Sequence, residues 1–310
     1  MRILITGGAG CLGSNLLEKF IPKGFEFLVL DNFATGNRKV VPKVKGLQVV
    51  EGSIADVDIV TKCFQKFTPD LVIHSAAAYK NPADWKEDTL TNVIGTINVA
   101  NAAEQAGCMK IINFQTALCY GRPDQVPIPI NHPLRPFTSY GISKTAGEQY
   151  LMNSGLSVIS LRLANVTGPR LSIGPIPTFY QRIKSGKACF CSDTRRDFLD
   201  MEDFFSVMEL VITNDVPSGV YNVSTGESRS ILDVFDSVSA YLGVKVEEPP
   251  PVVPAGDDDV PEVVLDPLMT EQQLGWKAKV GFEETIHRML AWYDIHGVSA
   301  IHSHLAVPKN

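Results

Sequence analysis

Tyr140 and Lys144 stand four residues apart in Tyr140-Gly141-Ile142-Ser143-Lys144, a spacing that puts a phenol and an ammonium on one face of a helix. Thr138 and Ser139 just before them are residues that cap such a helix. A cation beside a phenol favours phenolate and draws the tyrosine pKa down from about 10, so Tyr140 can take a proton from a hydroxyl. Upstream, the apolar run Lys110-Ile111-Ile112-Asn113-Phe114 leads to Thr116, a hydroxyl at a strand end.

A base of this kind needs somewhere to send the electrons, and the other end of the chain offers it. Gly7-Gly8-Ala9-Gly10-Cys11-Leu12-Gly13 lies between the strand-like Arg2-Ile3-Leu4-Ile5-Thr6 and the helical pattern Ser14 to Phe20. Strand, glycine turn and helix form the cradle in which backbone amides bind a pyrophosphate. Gly7 permits the turn, Gly10 the close approach of the ligand, and Gly13 the packing of helix on strand. The second apolar run, Phe25 to Leu30, ends in Asp31, where a carboxylate accepts hydrogen bonds from the adenosine ribose hydroxyls. It also repels a 2′-phosphate, so NAD is the expected cofactor even though Arg38 and Lys39 follow.

These residues need a scaffold, and the alternation of apolar runs and helical patterns describes one. Leu47 to Val50, Leu71 to His74, Lys110 to Phe114 and Ser157 to Arg162 read as strands. Asp56 to Lys66, Asp88 to Ala106 and Tyr140 to Asn153 read as helices. The expected fold is α/β: a Rossmann-type doubly wound parallel sheet, with a smaller mixed C-terminal substrate-binding lobe. Residues 1–165 form the expected NAD-binding domain, with returning segments near 200–243 that include the strand Gly219 to Val223. Residues 166–310, where Gly168-Pro169, Gly174-Pro175 and the acidic stretch 247–259 break the regularity, form mainly the substrate lobe.

Composition excludes several classes. The 310 residues are 45% hydrophobic with a net charge of -6, enough for a large core and without the basic stripe that binds nucleic acid or anionic membrane. No apolar stretch is long enough to span a bilayer, and a strand beginning at residue 2 leaves no room for a signal peptide, so a cytoplasmic location is expected. Cys11, Cys63, Cys108, Cys119, Cys189 and Cys191 lack zinc-ligand or disulfide-framework spacing, and His296, His302 and His304 lack ligand neighbours, so no metal is expected. His74 closes an apolar strand and reads as a packed core histidine, and Trp276 as the packing of a helix end.

Taken together, the motifs resemble those of the extended short-chain dehydrogenase/reductases. Within that group the chain is similar to the NAD-dependent nucleotide-sugar epimerases and dehydratases typified by UDP-glucose 4-epimerase, including those of bacterial surface-polysaccharide clusters. The resemblance runs through Thr6–Gly13, Asp31–Gly36, His74–Ala77, Thr91–Thr96, Phe114–Gly121, Leu161–Arg170 and Arg195–Phe198. It implies cofactor contacts from Gly7, Gly10, Cys11, Leu12, Gly13, Asp31, Asn32, Ala34, Thr35, Gly36, Ser53, Ile54, Ser75, Ala76, Ala77, Asn92, Tyr140 and Lys144. It also implies catalysis by Thr116, Tyr140 and Lys144, and substrate contacts from Thr116, Asn165, Arg170, Arg196 and Asp257. A homodimer is implied through helices near 88–106 and 140–153, where Ile142, Ala146, Leu151 and Met152 suit either a partner or an internal core.

The departures from the family pattern narrow the chemistry. Ala117 and Leu118 stand where 4,6-dehydratases carry an Asp-Glu pair, and neither can move the protons that elimination requires. Inversion at one sugar carbon, C4 of a UDP-hexose first, is therefore expected. A dehydratase or reductase of similar sugars, or a non-catalytic NAD sensor, are the alternatives. Ser53 replaces a family aspartate near the adenine, and Pro254 replaces a diphosphate-binding arginine, a role that Arg229 or Arg170 could take over.

Overall fold

Residues such as Ile3, Leu4, Ile5, Val29 and Ile73 are fully buried, as strands covered on both faces by helices must be. The computed structural model describes residues 1–298 except 80, 82, 246, 257 and 258. The elements up to residue 163 are β1 (Arg2–Thr6), α1 (Cys11–Phe20), β2 (Glu26–Asp31), β3 (Leu47–Glu51), α2 (Val57–Phe67), β4 (Leu71–His74), α3 (Trp85–Asp88), a π-helical turn (Thr89–Gly95), α4 (Thr96–Gln105), β5 (Lys110–Thr116), α5 (Ser139–Met152) and β6 (Ser157–Leu163). There follow β7 (Asn165–Thr167), α6 (Pro175–Lys184), β8 (Cys191–Ser192), β9 (Arg195–Arg196), β10 (Phe198–Asp200), α7 (Met201–Thr213) and β11 (Gly219–Val223). The rest are β12 (Arg229–Ser230), α8 (Ile231–Tyr241), β13 (Val252–Val253), β14 (Glu262–Val263), α9 (Leu268–Leu274) and α10 (Phe282–His296).

Seven strands form one sheet in the order β11-β6-β5-β4-β1-β2-β3, and the pairings of β3, β2, β1, β4 and β5 are parallel. The order reverses beside β1, between strands 1 and 4. Ligands of doubly wound sheets bind outside the carboxyl ends of the strands at that point.

The chain packs as two compact units. The first takes Met1–Cys119, Pro136–Arg162 and Met208–Tyr221, and the second takes Tyr120–Arg135, Leu163–Val207 and the chain from Asn222. The first unit's core joins Leu4, Leu28, Val60, Phe64, Val72, Val99, Ile111 and Leu151, with Met152 packed against it. Leu151 and Met152 therefore serve the internal core, whereas Ile142 faces outward at 51% exposure. The second unit's core joins Ile176, Phe179, Tyr180, Phe198, Val234, Phe235, Phe282, Ile286 and Tyr293.

Segment 120–135 packs with the second unit for a specific reason. Ile128 donates its amide to the Val264 carbonyl at 2.7 Å, and the buried Asn222 side chain donates to the Ile128 carbonyl at 3.0 Å and accepts from the Tyr120 hydroxyl at 3.0 Å. Trp276 is buried just past α9 and donates its indole N–H to Ser206 at 2.7 Å. His302 and His304 lie outside the described residues. No helix among those described is long and apolar enough to cross a membrane.

Candidate active site

The glycine turn after β1 is shaped by backbone crowding. Gly7 has φ +69°, and a Cβ there would meet the Ala76 backbone at 2.7 Å; a Cβ on Gly13 would meet the Gly7 carbonyl oxygen at 2.5 Å. Larger residues at either place would part β1 from α1 or from the strand end after β4. At Gly10, which caps α1 without a side chain, the nearest atom to an added Cβ is 3.3 Å away. The glycine cap thus offers the first turn of α1 no side-chain acceptor, which suits an incoming pyrophosphate.

Asp31 ends β2 nearly buried, and its carboxylate organises this turn. One oxygen accepts from the Ala9 amide and the other from the Phe33 amide, both at 2.8 Å. Two charge-assisted bonds fix the carboxylate at the mouth of the cradle, with lone pairs left for ribose hydroxyls. Asn32 accepts from the Ala34 amide at 3.1 Å, and an added Cβ on Gly36 would meet the Asp31 carboxylate at 3.0 Å, so the 31–36 loop wraps this one group. Arg38 is ion-paired with Glu51 and stacks over the Phe33 ring, which directs its charge away from a 2′-phosphate role. Ser53 already accepts the Ala55 amide at 3.1 Å, and Ile54 is a core side chain whose carbonyl takes the Asn98 amide at 3.0 Å.

Beyond β4 the chain is held by a polar network. His74 is fully buried, its ring nitrogens 2.9 Å from the hydroxyls of Thr6 and Thr96. Thr96 spends its proton on the Asn92 carbonyl at 2.7 Å, so His74 Nε2 is the donor to Thr96, and Nδ1 accepts from Thr6. Burial first, then the nearby Lys144 charge, lower the imidazole pKa to about 3, so the ring is a neutral connector. Asn92, on the π-helical turn, accepts from the Ala78 amide at 2.8 Å and donates to its carbonyl at 2.9 Å and to Ser143 at 3.0 Å. Its side chain therefore binds the 75–79 segment, which carries Ser75, Ala76 and Ala77, to α5.

Tyr140 and Lys144 sit in the first two turns of α5, which Thr138 caps through the Gly141 amide at 3.1 Å. Thr116 is brought next to them by Gln115, whose amide donates to the Lys144 carbonyl at 2.9 Å while its oxygen accepts from the Thr116 amide at 2.7 Å. Gly141 closes the junction, since a Cβ there would lie 3.0 Å from the Leu118 carbonyl oxygen. The Thr116 hydroxyl accepts the Leu118 amide at 3.2 Å and keeps its own proton available. Burial pushes the Tyr140 phenol above the ordinary tyrosine range and pulls Lys144 down to about 8, the latter opposed by Glu148. Nearby Tyr79 and Asp88 add to that rise of the Tyr140 pKa.

Of the candidate substrate residues, Thr116 lies in the first unit and Asn165, Arg170 and Arg196 in the second. Asn165 is exposed on β7 and donates its side-chain amide to the Asp197 carbonyl at 3.1 Å. Arg170 adopts φ +66°, a left-handed conformation uncommon for a side chain of its size. Arg196 donates to Asp259 at 2.5 Å and to the Val260 carbonyl at 2.8 Å. Arg229 pairs with Glu227 at 2.6 Å and lies over the Phe282 ring, while its Nε is buried with no acceptor. Asp257 lies outside the described residues.

Two features escape a reading of motifs. Tyr79 packs edge-on against Tyr140, with ring centroids 6.2 Å apart. Glu148 and Arg162 form a buried ion pair at 2.6 Å, with Ser160 donating to the same carboxylate at 2.6 Å. A signal for the pair was present: a single arginine inside the apolar run of β6 demands a buried acid, and Glu148 is one turn beyond Lys144.

A doubly wound sheet, a glycine cradle with a ribose carboxylate, and a tyrosine-lysine pair beside a strand-end threonine define an NAD-using α/β enzyme. Residues 3–224 match the NAD dependent epimerase/dehydratase family, and the chain belongs to it. Its fold is shared with the Bordetella bronchiseptica enzyme WbmG solved in complex with NAD and UDP, which is 63% identical with a TM-score of 0.95 over 99% of each chain. The Thermotoga maritima UDP-glucose 4-epimerase solved with UDP-glucose is 27% identical, with a TM-score of 0.87 over 96% of this chain and 99% of that one. The UDP-glucose 4-epimerase of Lactobacillus helveticus is 29% identical, over 96% of this chain and 98% of its own length.

Proposed function

We propose that the protein inverts C4 of a UDP-hexose or related sugar. The observation that carries this reading is the junction of β5 and α5, where Gln115 ties Thr116 to the Tyr140 and Lys144 helix while Ala117 and Leu118 offer no titratable group. Tyr140, as phenolate, takes the proton of the sugar hydroxyl, with the Thr116 hydroxyl hydrogen-bonded to the same oxygen. Lys144 stabilises that phenolate, and the cradle residues Gly7 to Gly13 with Asp31 hold the dinucleotide. Bound NAD would supply hydride acceptance and return at C4, so none would be consumed. Elimination of water would need an acid and a base beyond Tyr140, and the side chains after Thr116 provide neither.

Asn165, Arg196 and Asp257 are assigned to the nucleotide diphosphate and ribose. Arg229 or Arg170 supplies the charge missing at Pro254, and the orphaned Nε of Arg229 supports the first of these. The WbmG and Thermotoga complexes contain UDP and UDP-glucose respectively, which supports a UDP-sugar. Six cysteines outside any disulfide fit the reducing cytoplasm. The active form is a homodimer through the exposed apolar side chains of the π-helical turn and α5.

One incubation tests the reaction: purified protein with UDP- or dTDP-hexoses in deuterated water, without added cofactor. The inverted sugar free of solvent deuterium at the inverted carbon is expected. A keto-deoxy sugar labelled from solvent would establish a dehydratase instead, and unchanged sugar would leave only cofactor binding. Tyr140→Phe is expected to abolish turnover while bound NAD persists.

A further inference from the structure

Arg196, assigned above to the nucleotide diphosphate, has an anionic partner inside the second unit. Strand β14 runs parallel to β9 with Val263 opposite Arg196, and the chain entering β14 brings Asp259 to the guanidinium. One terminal nitrogen donates to the Asp259 carboxylate at 2.5 Å, and the other to the Arg195 and Val260 carbonyls at 2.7 and 2.8 Å. The same carboxylate oxygen accepts the Val260 amide at 2.8 Å, so the acid is held by its own backbone as well. Both side chains are largely buried, at 17% and 13% exposure. Arg195 and Arg229, the other cations of the small β12-β9-β14 sheet, are likewise paired, with Glu262 at 3.7 Å and Glu227 at 2.6 Å. Three arginines are thus balanced by three acids where a diphosphate is to be gripped, and Pro254 adds no charge.

We propose, resting on the assignment of Arg196 to the diphosphate, that Asp259 sets the affinity for the nucleotide sugar by competing with its diphosphate for that guanidinium. A carboxylate and a phosphate are alternative anionic acceptors for one fork of donors. A diphosphate drawn to Arg196 also meets the negative charge of Asp259, in surroundings that screen it poorly. The competition has a use in an inversion. The diphosphate is the same group in substrate and product, so whatever it contributes is uniform binding, which deepens both complexes and does nothing for the chemical step. Withholding part of that affinity speeds the exit of product, while Tyr140 and Thr116 act on the sugar alone. Asp259 also gives the buried guanidinium a counter-charge, a need that an asparagine in its place meets only in part.

The test is calorimetric titration of UDP into the NAD-bound protein. Asp259→Asn keeps the shape and an acceptor oxygen for Arg196 but removes the charge. It should bind UDP about tenfold more tightly than the parent, the scale of one charge-assisted hydrogen bond, and lower KM for a UDP-hexose by a similar factor with kcat no higher. Asp259→Glu, which keeps the charge, should bind UDP as the parent does. Uridine lacks the diphosphate and should bind the parent and Asp259→Asn alike; a shift of uridine and UDP together would show a merely structural role and overturn the proposal. UDP bound by Asp259→Asn within about twofold of the parent, or more weakly, would overturn it too, and would leave the assignment of Arg196 standing. Arg196→Gln with the parent's affinity for UDP would remove that assignment itself, and this inference with it.

Discussion

At Tyr140 and Lys144 two requirements conflict: the base must lose a proton and the lysine must keep one, yet burial disfavours the charged form of both. Glu148 raises the Lys144 pKa against that desolvation, leaving it at about 8. The ammonium is therefore present below about pH 8 and lost above it, so the support for phenolate declines on the alkaline side. A pH profile of kcat should fall as pH rises through that region. Lys144→Met should lower kcat by on the order of 10² or more and remove the alkaline fall. A variant retaining the parent's pH profile would show that the limb belongs to another group. Four-residue spacing made this pair legible, since helix geometry alone puts both positions on one face of α5. Gln115 and Glu148 were not legible as parts of the site, because their partners lie on other elements and meet them only in the folded chain.

One element departs from its sequence pattern in a way that serves the site. The pattern over 88–106 reads as a single helix, but the chain forms α3, then the π-helical turn Thr89–Gly95, then α4. The wider turn carries Asn92, whose carbonyl would lie 2.4 Å from a Cβ on Gly147 of α5. This close approach accompanies the Asn92 bond to Ser143, and no periodicity reports it because it depends on a glycine of another helix. Gly147→Ala should cost about 1–3 kcal/mol of unfolding free energy, measured by urea titration, and should weaken NAD binding through the displaced Asn92. The junction of α5 and β6 offers a sharper case. Glu148→Gln leaves the Arg162 guanidinium buried without its counter-charge, at an expected cost of about 3–5 kcal/mol, while Glu148→Gln with Arg162→Met should recover most of it. Equal stability of the single and double variants would mean that water reaches Arg162.

At the scale of the molecule, legibility follows the length and regularity of the elements. Strands β1, β2, β4, β5 and β6 are buried runs of four to seven residues, and a parallel sheet could be anticipated from apolar runs alternating with helices, whereas β3 is largely exposed. The second unit is assembled from interleaved segments with two-residue strands such as Cys191–Ser192 and Val252–Val253, too short for any period to register. What the pattern does leave visible is an apolar stripe without an internal partner. On α5, Ile142 and Tyr150 are eight residues apart with Ala146 between them, so all three share one face, and Ile142 and Tyr150 are more than half exposed. Leu90 and Ile94 on the π-helical turn and Trp85 on α3 are exposed as well. Burying such groups against a second copy would remove apolar area at roughly 25 cal/mol per Å², a gain that a symmetric interface doubles. Sedimentation velocity at micromolar concentration should accordingly show a dimer, and Ile142→Glu, which places a carboxylate in the stripe on both copies at once, should shift it to monomer with the fold intact by circular dichroism. A parent that sediments as a monomer, or a dimer indifferent to the glutamate, would place the association surface elsewhere.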